Sequence, residues 1–204
     1  MLSDYLHSRI TEFDQISESR QAELGNAAKL IGQNAFANAK TQLNFICTHN
    51  SRRSHLAQIW TAVAANHFGI DTIDTFSGGT EATAMYPSIV AAIQKAGLSV
   101  ERTDDSQDSS NPHYLVRYAS DQDPLTCFSK VYNQSPNPKG AFMAILVCGN
   151  ADRACPIVSG ATDRLVIRYD DPKVSDSTPE EESTYDERCA QISREMLFMV
   201  SQIA

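Results

Sequence analysis

A cysteine and an arginine, Cys47 and Arg53, stand six residues apart in the segment Cys-Thr-His-Asn-Ser-Arg-Arg-Ser. An apolar run precedes this segment, and a helical pattern of apolar residues follows it. A short polar loop between a buried strand and a helix leaves backbone N–H groups free to bind an anion at the positive end of the helix dipole. The same field stabilises a thiolate, and arginine binds two oxygens of one anion. The segment therefore predicts a thiolate that attacks a tetrahedral oxyanion.

The loop residues have distinct expected roles. Cys47 is the predicted nucleophile, and Arg53 is expected to bind two equatorial oxygens in the transition state. Ser54 is placed to donate a hydrogen bond to the thiolate, and Asn50 is placed to hold an unusual backbone conformation. The alternative for Cys47 is a buried thiol at the end of a strand. The other predicted oxyanion-binding residues are Thr48, His49, Ser51 and Arg52.

Composition excludes several classes of function. The net charge of −8 argues against general nucleic-acid binding, and no apolar run approaches the roughly 20 residues that cross a bilayer. The first residues lack the pattern of a secretory signal, and the five cysteines are irregularly spaced, unlike a disulfide framework or a zinc site. We expect a cytoplasmic protein with no nucleic-acid or membrane partner and no metal or organic cofactor.

Hydrophobic periodicity predicts the elements that must position the loop. Residues 1–40 form a helical extension in which Ser17 caps a second helix, and residues 101–111 and 148–160 are polar loops. The predicted fold is a three-layer α/β/α domain over 41–204, with a central, mainly parallel four-stranded sheet and an inserted β-hairpin. The predicted elements are sheet strands at 41–47, 72–76, 142–147 and 165–169, hairpin strands at 113–118 and 125–132, and helices at 54–67, 87–96 and from Pro179, capped by Thr178.

The segment from Cys47 to Ser54 resembles the C-x5-R-S loop of low-molecular-weight protein tyrosine phosphatases and of their relatives, the thioredoxin-coupled arsenate reductases. Ser77-Gly78-Gly79-Thr80 and the helix that follows are similar to the second βα unit of that superfamily. We expect this glycine-containing turn to lie beside the loop. The resemblance covers residues 41–204 and leaves the N-terminal extension outside it.

The resemblance also implies a proton donor. In the superfamily, the aspartate of an Asp-Pro pair late in the chain protonates the leaving group, which implies that role for Asp171. The neighbouring Asp170 is the competing candidate, and both carboxylates could instead be solvated loop residues.

Two loop residues depart from the superfamily pattern. His49 replaces the usual glycine, so we expect an altered loop shape or backbone strain there. Arg52 replaces a cysteine found in many members. It is expected either to point to solvent or to add positive charge near the mouth of the site.

A segment from Cys148 to Cys155, followed by Pro156, resembles the redox segment of the arsenate reductases. The resemblance implies that Cys47 attacks arsenate, that Cys148 attacks Cys47 and releases arsenite, and that Cys155 then forms a disulfide with Cys148. A thioredoxin-like protein would reduce that disulfide. The alternative is that Cys148 and Cys155 are structural thiols.

Three functions remain open at this stage. The first is arsenate reduction, and the second is hydrolysis of phosphotyrosine or a small phosphomonoester through a cysteinyl-phosphate on Cys47. The third is oxyanion binding without turnover. Residues 112–138 either cover the site or bind a partner, and Cys127 and Cys189 are expected to be buried thiols without a role in the chemistry.

Overall fold

The computed structural model describes residues 1–37, 40–103, 110–154 and 157–203. A four-stranded parallel sheet lies at the centre of the fold, and helices cover both of its faces. The predicted three-layer α/β/α fold is therefore confirmed. The helices are α1 (Leu2–Ile10), α2 (Glu18–Ala37), α3 (Arg53–Phe68), α4 (Pro87–Lys95), α5 (Gly149–Ala154) and α6 (Glu181–Ser201), with short 3-10 turns at Phe13–Gln15 and Pro172–Ser175. The strands are β1 (Thr41–Cys47), β2 (Ile73–Gly79), β3 (Ser99–Thr103), β4 (His113–Arg117), β5 (Leu125–Cys127), β6 (Phe142–Leu146) and β7 (Ala161–Val166).

The register of the central sheet brings the carboxyl ends of its strands to one edge. The strand order is β2-β1-β6-β7, and Ile46 of β1 pairs with Gly78 on one side and Leu146 on the other. Leu146 in turn pairs with Val166 of β7. In open parallel sheets the crevice outside the carboxyl ends is where ligands bind. The residues that follow β1, β2, β6 and β7 meet there.

The N-terminal helices pack against the rest of the fold. Helices α1 and α2 both contact α6, and α2 also contacts β1. Leu24 and Ile31 of α2 are fully buried, and the ring of Tyr5 stacks on Trp60 with centroids 5.2 Å apart. The backbone N–H of Arg20 donates to Ser17 Oγ at 3.4 Å, as expected for a helix cap. The extension therefore covers part of the hydrophobic core.

A separate antiparallel sheet, ordered β3-β4-β5, contains the predicted hairpin. The prediction of a loop throughout 101–111 was wrong at its start, because residues up to Thr103 form β3 and pair with β4. The second hairpin strand ends at Cys127, five residues earlier than predicted. The chain leaves the hairpin there because the next residues pair with the end of β2, where Gly79 and Val131 form a parallel bridge.

Three other element boundaries differ from the prediction. Helix α5 occupies the start of the predicted polar loop at 148–160, and its Asp152 binds Arg164 of β7. Strand β7 begins at Ala161, before the predicted start at residue 165. Its first residues include polar ones, which are tolerated because β7 is the last strand of the sheet. Helix α6 begins at Glu181 and not at the predicted Pro179. Thr178 Oγ1 accepts a hydrogen bond from the N–H of Glu180, so Thr178 caps the turn that precedes the helix. None of the described helices is both long enough and apolar enough to cross a membrane.

Candidate active site

The predicted nucleophile lies at the carboxyl edge of the sheet. Cys47 is the last residue of β1, and its Sγ is 3.1 Å from Ser54 Oγ in the first turn of α3. The backbone N–H groups of residues 49–52 donate to no carbonyl or side chain within the described part of the chain. Unpaired N–H groups at a helix N-terminus favour an anion. The geometry thus combines a buried thiol with a set of available hydrogen-bond donors.

Asn50 holds the loop in its turn. Its φ of +44° lies in the left-handed region, which asparagine tolerates better than most residues. The side-chain amide donates to Ser54 Oγ at 2.8 Å, and its Oδ1 accepts from the backbone N–H of Lys130 at 2.9 Å. The strain expected at His49 is absent, because Asn50 is the loop residue that takes the positive φ. The ring of His49 instead reaches Glu81, with Nε2 and Oε1 2.9 Å apart.

Gly79 lies directly against the loop, as expected, but the prediction of a turn was wrong for Ser77 to Gly79, because these residues pair with β1 and extend strand β2. The N–H groups of the next two residues donate to the loop carbonyls of Cys47 and Thr48 at 3.1 and 3.0 Å. A Cβ atom on Gly79 would lie 2.2 Å from the carbonyl oxygen of Glu81 and 2.6 Å from that of Thr48. Backbone atoms cannot yield as a flexible side chain can. The loop therefore needs glycine at this position.

Gly79→Ala is expected to destabilise the protein by about 1 to 3 kcal/mol and to weaken binding of inorganic phosphate, because the methyl group displaces the loop. Urea unfolding and titration calorimetry measure the two effects. Gly25→Ala is the matched control, since a Cβ there meets nothing within 4 Å and alanine favours the helix by roughly 1 kcal/mol. Wild-type stability and phosphate affinity in Gly79→Ala would contradict the tight contact.

Arg53 joins the loop to the predicted proton donor. It is 8% exposed; its Nη1 donates to the carbonyl of Tyr169 at 2.9 Å, and its Nη2 lies 2.5 Å from Asp171 Oδ2. Its buried Nε has no partner among the described residues. The side chain of Asp170, by contrast, is 97% exposed and lies 3.9 Å from Arg188. The geometry places Asp171, and not Asp170, beside the loop.

Cys148 lies next to the loop from the neighbouring strand. It follows β6, is buried, and its Sγ is 3.6 Å from the hydroxyl of Thr48, the residue after Cys47. The backbone N–H of Ala151 donates to the same sulfur at 3.3 Å. The structure therefore brings a second thiol to the side of the nucleophile's loop. Cys155 and Pro156 lie outside the described residues.

Arg52 is turned away from solvent, so the expectation that it points to solvent was wrong. It is 8% exposed, and its guanidinium binds Tyr185 and Asp176. Ser51 is also buried, and its carbonyl accepts from the N–H of Tyr86 at 3.0 Å. These contacts fix the last part of the loop against the residues around α6.

The segment after β5 supports the loop from the outside. Ser129 Oγ donates to the carbonyl of His49 at 2.8 Å, and the N–H of Lys130 donates to Asn50. This part of residues 112–138 thus contacts the site. The sequence did not indicate the roles of Ser129 and Lys130. They lie in the predicted strand 125–132, and no local pattern there predicts a contact with the loop.

Two other buried thiols and one buried histidine are poorly suited to ionise. Burial raises the pKa of Cys127 to about 12 and that of Cys189 to about 11, which keeps both thiols protonated near neutral pH. Burial, with the nearby Lys130, lowers the pKa of His55 to about 3, so its ring is neutral. Burial lowers the pKa of Lys130 to about 8. Cys127 and Cys189 are therefore buried thiols, as expected.

Comparison with known proteins identifies the fold. No protein-family model matches the chain. The fold is that of the low-molecular-weight protein tyrosine phosphatases: the enzyme from T. tengcongensis gives a TM-score of 0.54 at 15% identity and covers 79% of this chain and 99% of its own. The corresponding protein from Vibrio cholerae gives a TM-score of 0.52 at 12% identity and covers 79% and 95%. The likeness to these two structures, at 12% and 15% identity, shows the fold that this chain shares with them.

The chain is also similar in sequence to bacterial arsenate reductases. The arsenate reductase of Bacillus licheniformis is 28% identical over 151 residues, which are 74% of this chain and 87% of that protein. The arsenate reductase of Halalkalibacterium halodurans is 28% identical over 143 residues, which are 70% and 81% of the two chains.

Proposed function

We propose that the protein is an arsenate reductase that uses the thiolate of Cys47. The observation that carries this proposal is the position of Cys148, whose sulfur contacts Thr48 in the loop. A phosphatase needs only the first cysteine, whereas a reductase needs a second thiol that reaches the first. The sequence similarity to arsenate reductases supports the same choice.

The first step uses the loop together with the side chains of Arg53 and Asp171. The backbone N–H groups of residues 49–52, with Arg53, bind the oxygens of arsenate. Cys47 attacks arsenic and forms a sulfur–arsenic bond, and one oxygen leaves as water after Asp171 delivers a proton. Ser54, 3.1 Å from the sulfur, stabilises the thiolate before the attack.

The next steps transfer two electrons from protein thiols to arsenic. Cys148 attacks the sulfur of Cys47, so that a disulfide forms between them and arsenite departs with the electron pair of the sulfur–arsenic bond. Cys155 then attacks Cys148, which leaves a Cys148–Cys155 disulfide and restores the Cys47 thiolate. A thioredoxin-like protein reduces this disulfide. We place the enzyme in the cytoplasm, where such reductants keep thiols reduced.

A coupled assay tests the proposal. The reduced protein is incubated with arsenate, thioredoxin, thioredoxin reductase and NADPH, and the release of arsenite is measured alongside the oxidation of NADPH. We expect both to occur in equal amounts and to depend on Cys47. The absence of NADPH oxidation together with rapid Cys47-dependent hydrolysis of an aryl phosphate would overturn the reductase proposal.

Phosphatase activity is the second candidate function, because the first step is shared. Arg53 holds Asp171 beside the loop at 2.5 Å, which supplies a proton donor suited to an ester leaving group. After formation of a cysteinyl-phosphate, water and not Cys148 would complete the reaction. We expect slow hydrolysis of aryl phosphates even from a reductase. Inactivity in both assays would favour an oxyanion-binding protein.

Asp171→Asn is expected to lower kcat for phenyl phosphate by about 10²- to 10⁴-fold, because the leaving phenolate then departs without a proton. Steady-state hydrolysis across aryl phosphates measures the effect. Asp170→Asn is the matched control: its side chain is 97% exposed and is ion-paired with Arg188 rather than with Arg53, so activity should stay within about threefold of the wild type. Equal losses in the two variants would remove Asp171 from the mechanism.

A further inference from the structure

Two adjacent arginines of the loop bind the same short segment of the chain. Arg53 Nη2 contacts Asp171, and Arg52 Nη2 contacts Asp176. Both arginines are 8% exposed. The two aspartates lie at the two ends of a single 3-10 turn, Pro172–Ser175. The loop therefore holds this turn at both ends.

The contacts of Arg52 are extensive. Its Nε donates to Tyr185 Oη at 2.5 Å, and that hydroxyl donates to Asp176 Oδ1 at 2.6 Å. Its guanidinium carbon lies 4.1 Å from the centre of the Tyr86 ring, and the rings of Tyr86 and Tyr185 stack with centroids 5.3 Å apart. Cation–π and charge-assisted contacts of this kind restrict a side chain strongly when it is buried. Arg52 is therefore fixed in one position.

These contacts leave Arg52 poorly placed to bind the substrate anion. Its Nε binds Tyr185 of α6 and its Nη2 binds Asp176 at the end of the 3-10 turn, whereas the Nε of Arg53 is buried without a partner in the described part of the chain. The two neighbouring guanidinium groups thus have different surroundings. Arg53 also uses two nitrogens on protein groups, Tyr169 and Asp171, but its buried Nε remains available for an oxyanion, whereas the guanidinium of Arg52 additionally packs on the ring of Tyr86.

The 3-10 turn between Asp171 and Asp176 couples the positions of these two residues. Asp171 Oδ1 accepts from the N–H of Lys173 at 3.2 Å, and the N–H of Asp176 donates to the carbonyl of Lys173 at 3.1 Å. Pro172 and Ser175 within the turn are buried. Because the turn is short and bonded internally, fixing Asp176 also limits the movement of Asp171.

We propose that Arg52 and Asp176 form a positioning pair that holds the proton donor Asp171 over the oxyanion loop. This inference rests on the proposed function, because it assigns the pair to the proton-transfer step of the same site. It replaces the expected role of Arg52 as an oxyanion ligand. The pair acts through Asp171 and touches no reacting atom.

Three variants test the pair: Arg52→Gln, Asp176→Asn and the double variant. We expect each to lower kcat/KM for phenyl phosphate by about 10- to 100-fold, with a smaller loss for 2,4-dinitrophenyl phosphate, whose leaving group needs no proton. The double variant should lose no more than either single variant, since all three break one contact. Inhibition by inorganic phosphate should remain within about twofold of the wild type.

Arg194→Gln is the control for general destabilisation, because it breaks a part-buried ion pair with Glu12 away from the loop. It should not change the ratio of activities on the two esters. A loss in Arg52→Gln that is equal for both esters, with weakened phosphate inhibition and no matching effect in Asp176→Asn, would overturn the proposal. That result would make Arg52 an oxyanion ligand.

Amide hydrogen exchange tests whether the pair holds the 3-10 turn, and it does not depend on enzyme activity. The amides of Lys173 and Asp176 should exchange faster in Arg52→Gln and Asp176→Asn than in the wild type, whereas amides within α3 should not. Unchanged exchange in the turn would overturn the positioning role. If the wild-type protein hydrolyses no aryl phosphate and reduces no arsenate, the proposed function fails, and the exchange experiment still decides whether the pair holds the turn.

Discussion

Cys148→Ser is expected to stop arsenate turnover completely while leaving hydrolysis of an aryl phosphate within about threefold of the wild type. The serine hydroxyl cannot attack the sulfur of Cys47 to form a disulfide, so arsenic keeps its oxidation state. In the proposed mechanism, hydrolysis uses Cys47, Arg53 and Asp171, and the contact of the Cys148 sulfur in the loop is with Thr48. The two activities are measured on one preparation, by NADPH oxidation and by release of the phenol.

Cys189→Ala is the matched control, because this thiol is equally buried but lies in α6, with Tyr5 as a neighbour and away from the oxyanion loop. It should retain both activities. If Cys148→Ser retained arsenate turnover, Cys148 would be a structural thiol and the relay would be wrong. If it lost both activities and Cys189→Ala retained them, its effect would lie in the fold of the loop and not in electron transfer.

Cys47→Ser is expected to lower both activities by roughly 10⁴- to 10⁶-fold, because a serine hydroxyl is a far weaker nucleophile than a cysteine thiol. The serine is close in size, so the unpaired N–H groups of residues 49–52 should still bind inorganic phosphate. Calorimetry on the variant separates the loss of chemistry from a loss of binding. Substantial arsenate reduction by Cys47→Ser would exclude Cys47 as the nucleophile.

Local sequence patterns account for much of the fold and for the centre of the site. Apolar runs identify β1 and β6, a glycine with positive φ (Gly69) follows α3, and a proline (Pro87) is the first residue of α4. The six-residue spacing of Cys47 and Arg53 follows from the length of one loop between a strand and a helix. Because these features depend on neighbours along the chain, they can be predicted from the sequence alone.

Contacts between distant residues could not be predicted in this way. Strand β3 is polar and is stabilised by pairing with β4, where Val100 lies opposite Val116. The support of Asn50 by Lys130 joins residues 80 positions apart, and the binding of Arg52 by Tyr185 joins residues 133 positions apart. Such pairs are determined by the path of the chain in three dimensions. For that reason the sequence left the role of Arg52 open.

The most direct test of the proposed function is peptide mass spectrometry on the reduced protein after a single turnover with arsenate and no reductant. We predict one arsenite released per protein molecule and a Cys148–Cys155 disulfide, seen as the loss of two hydrogens from the peptide that contains both residues. Cys47, Cys127 and Cys189 should remain reduced. An unchanged set of five thiols with no arsenite, from a protein that hydrolyses aryl phosphates, would contradict the reductase assignment.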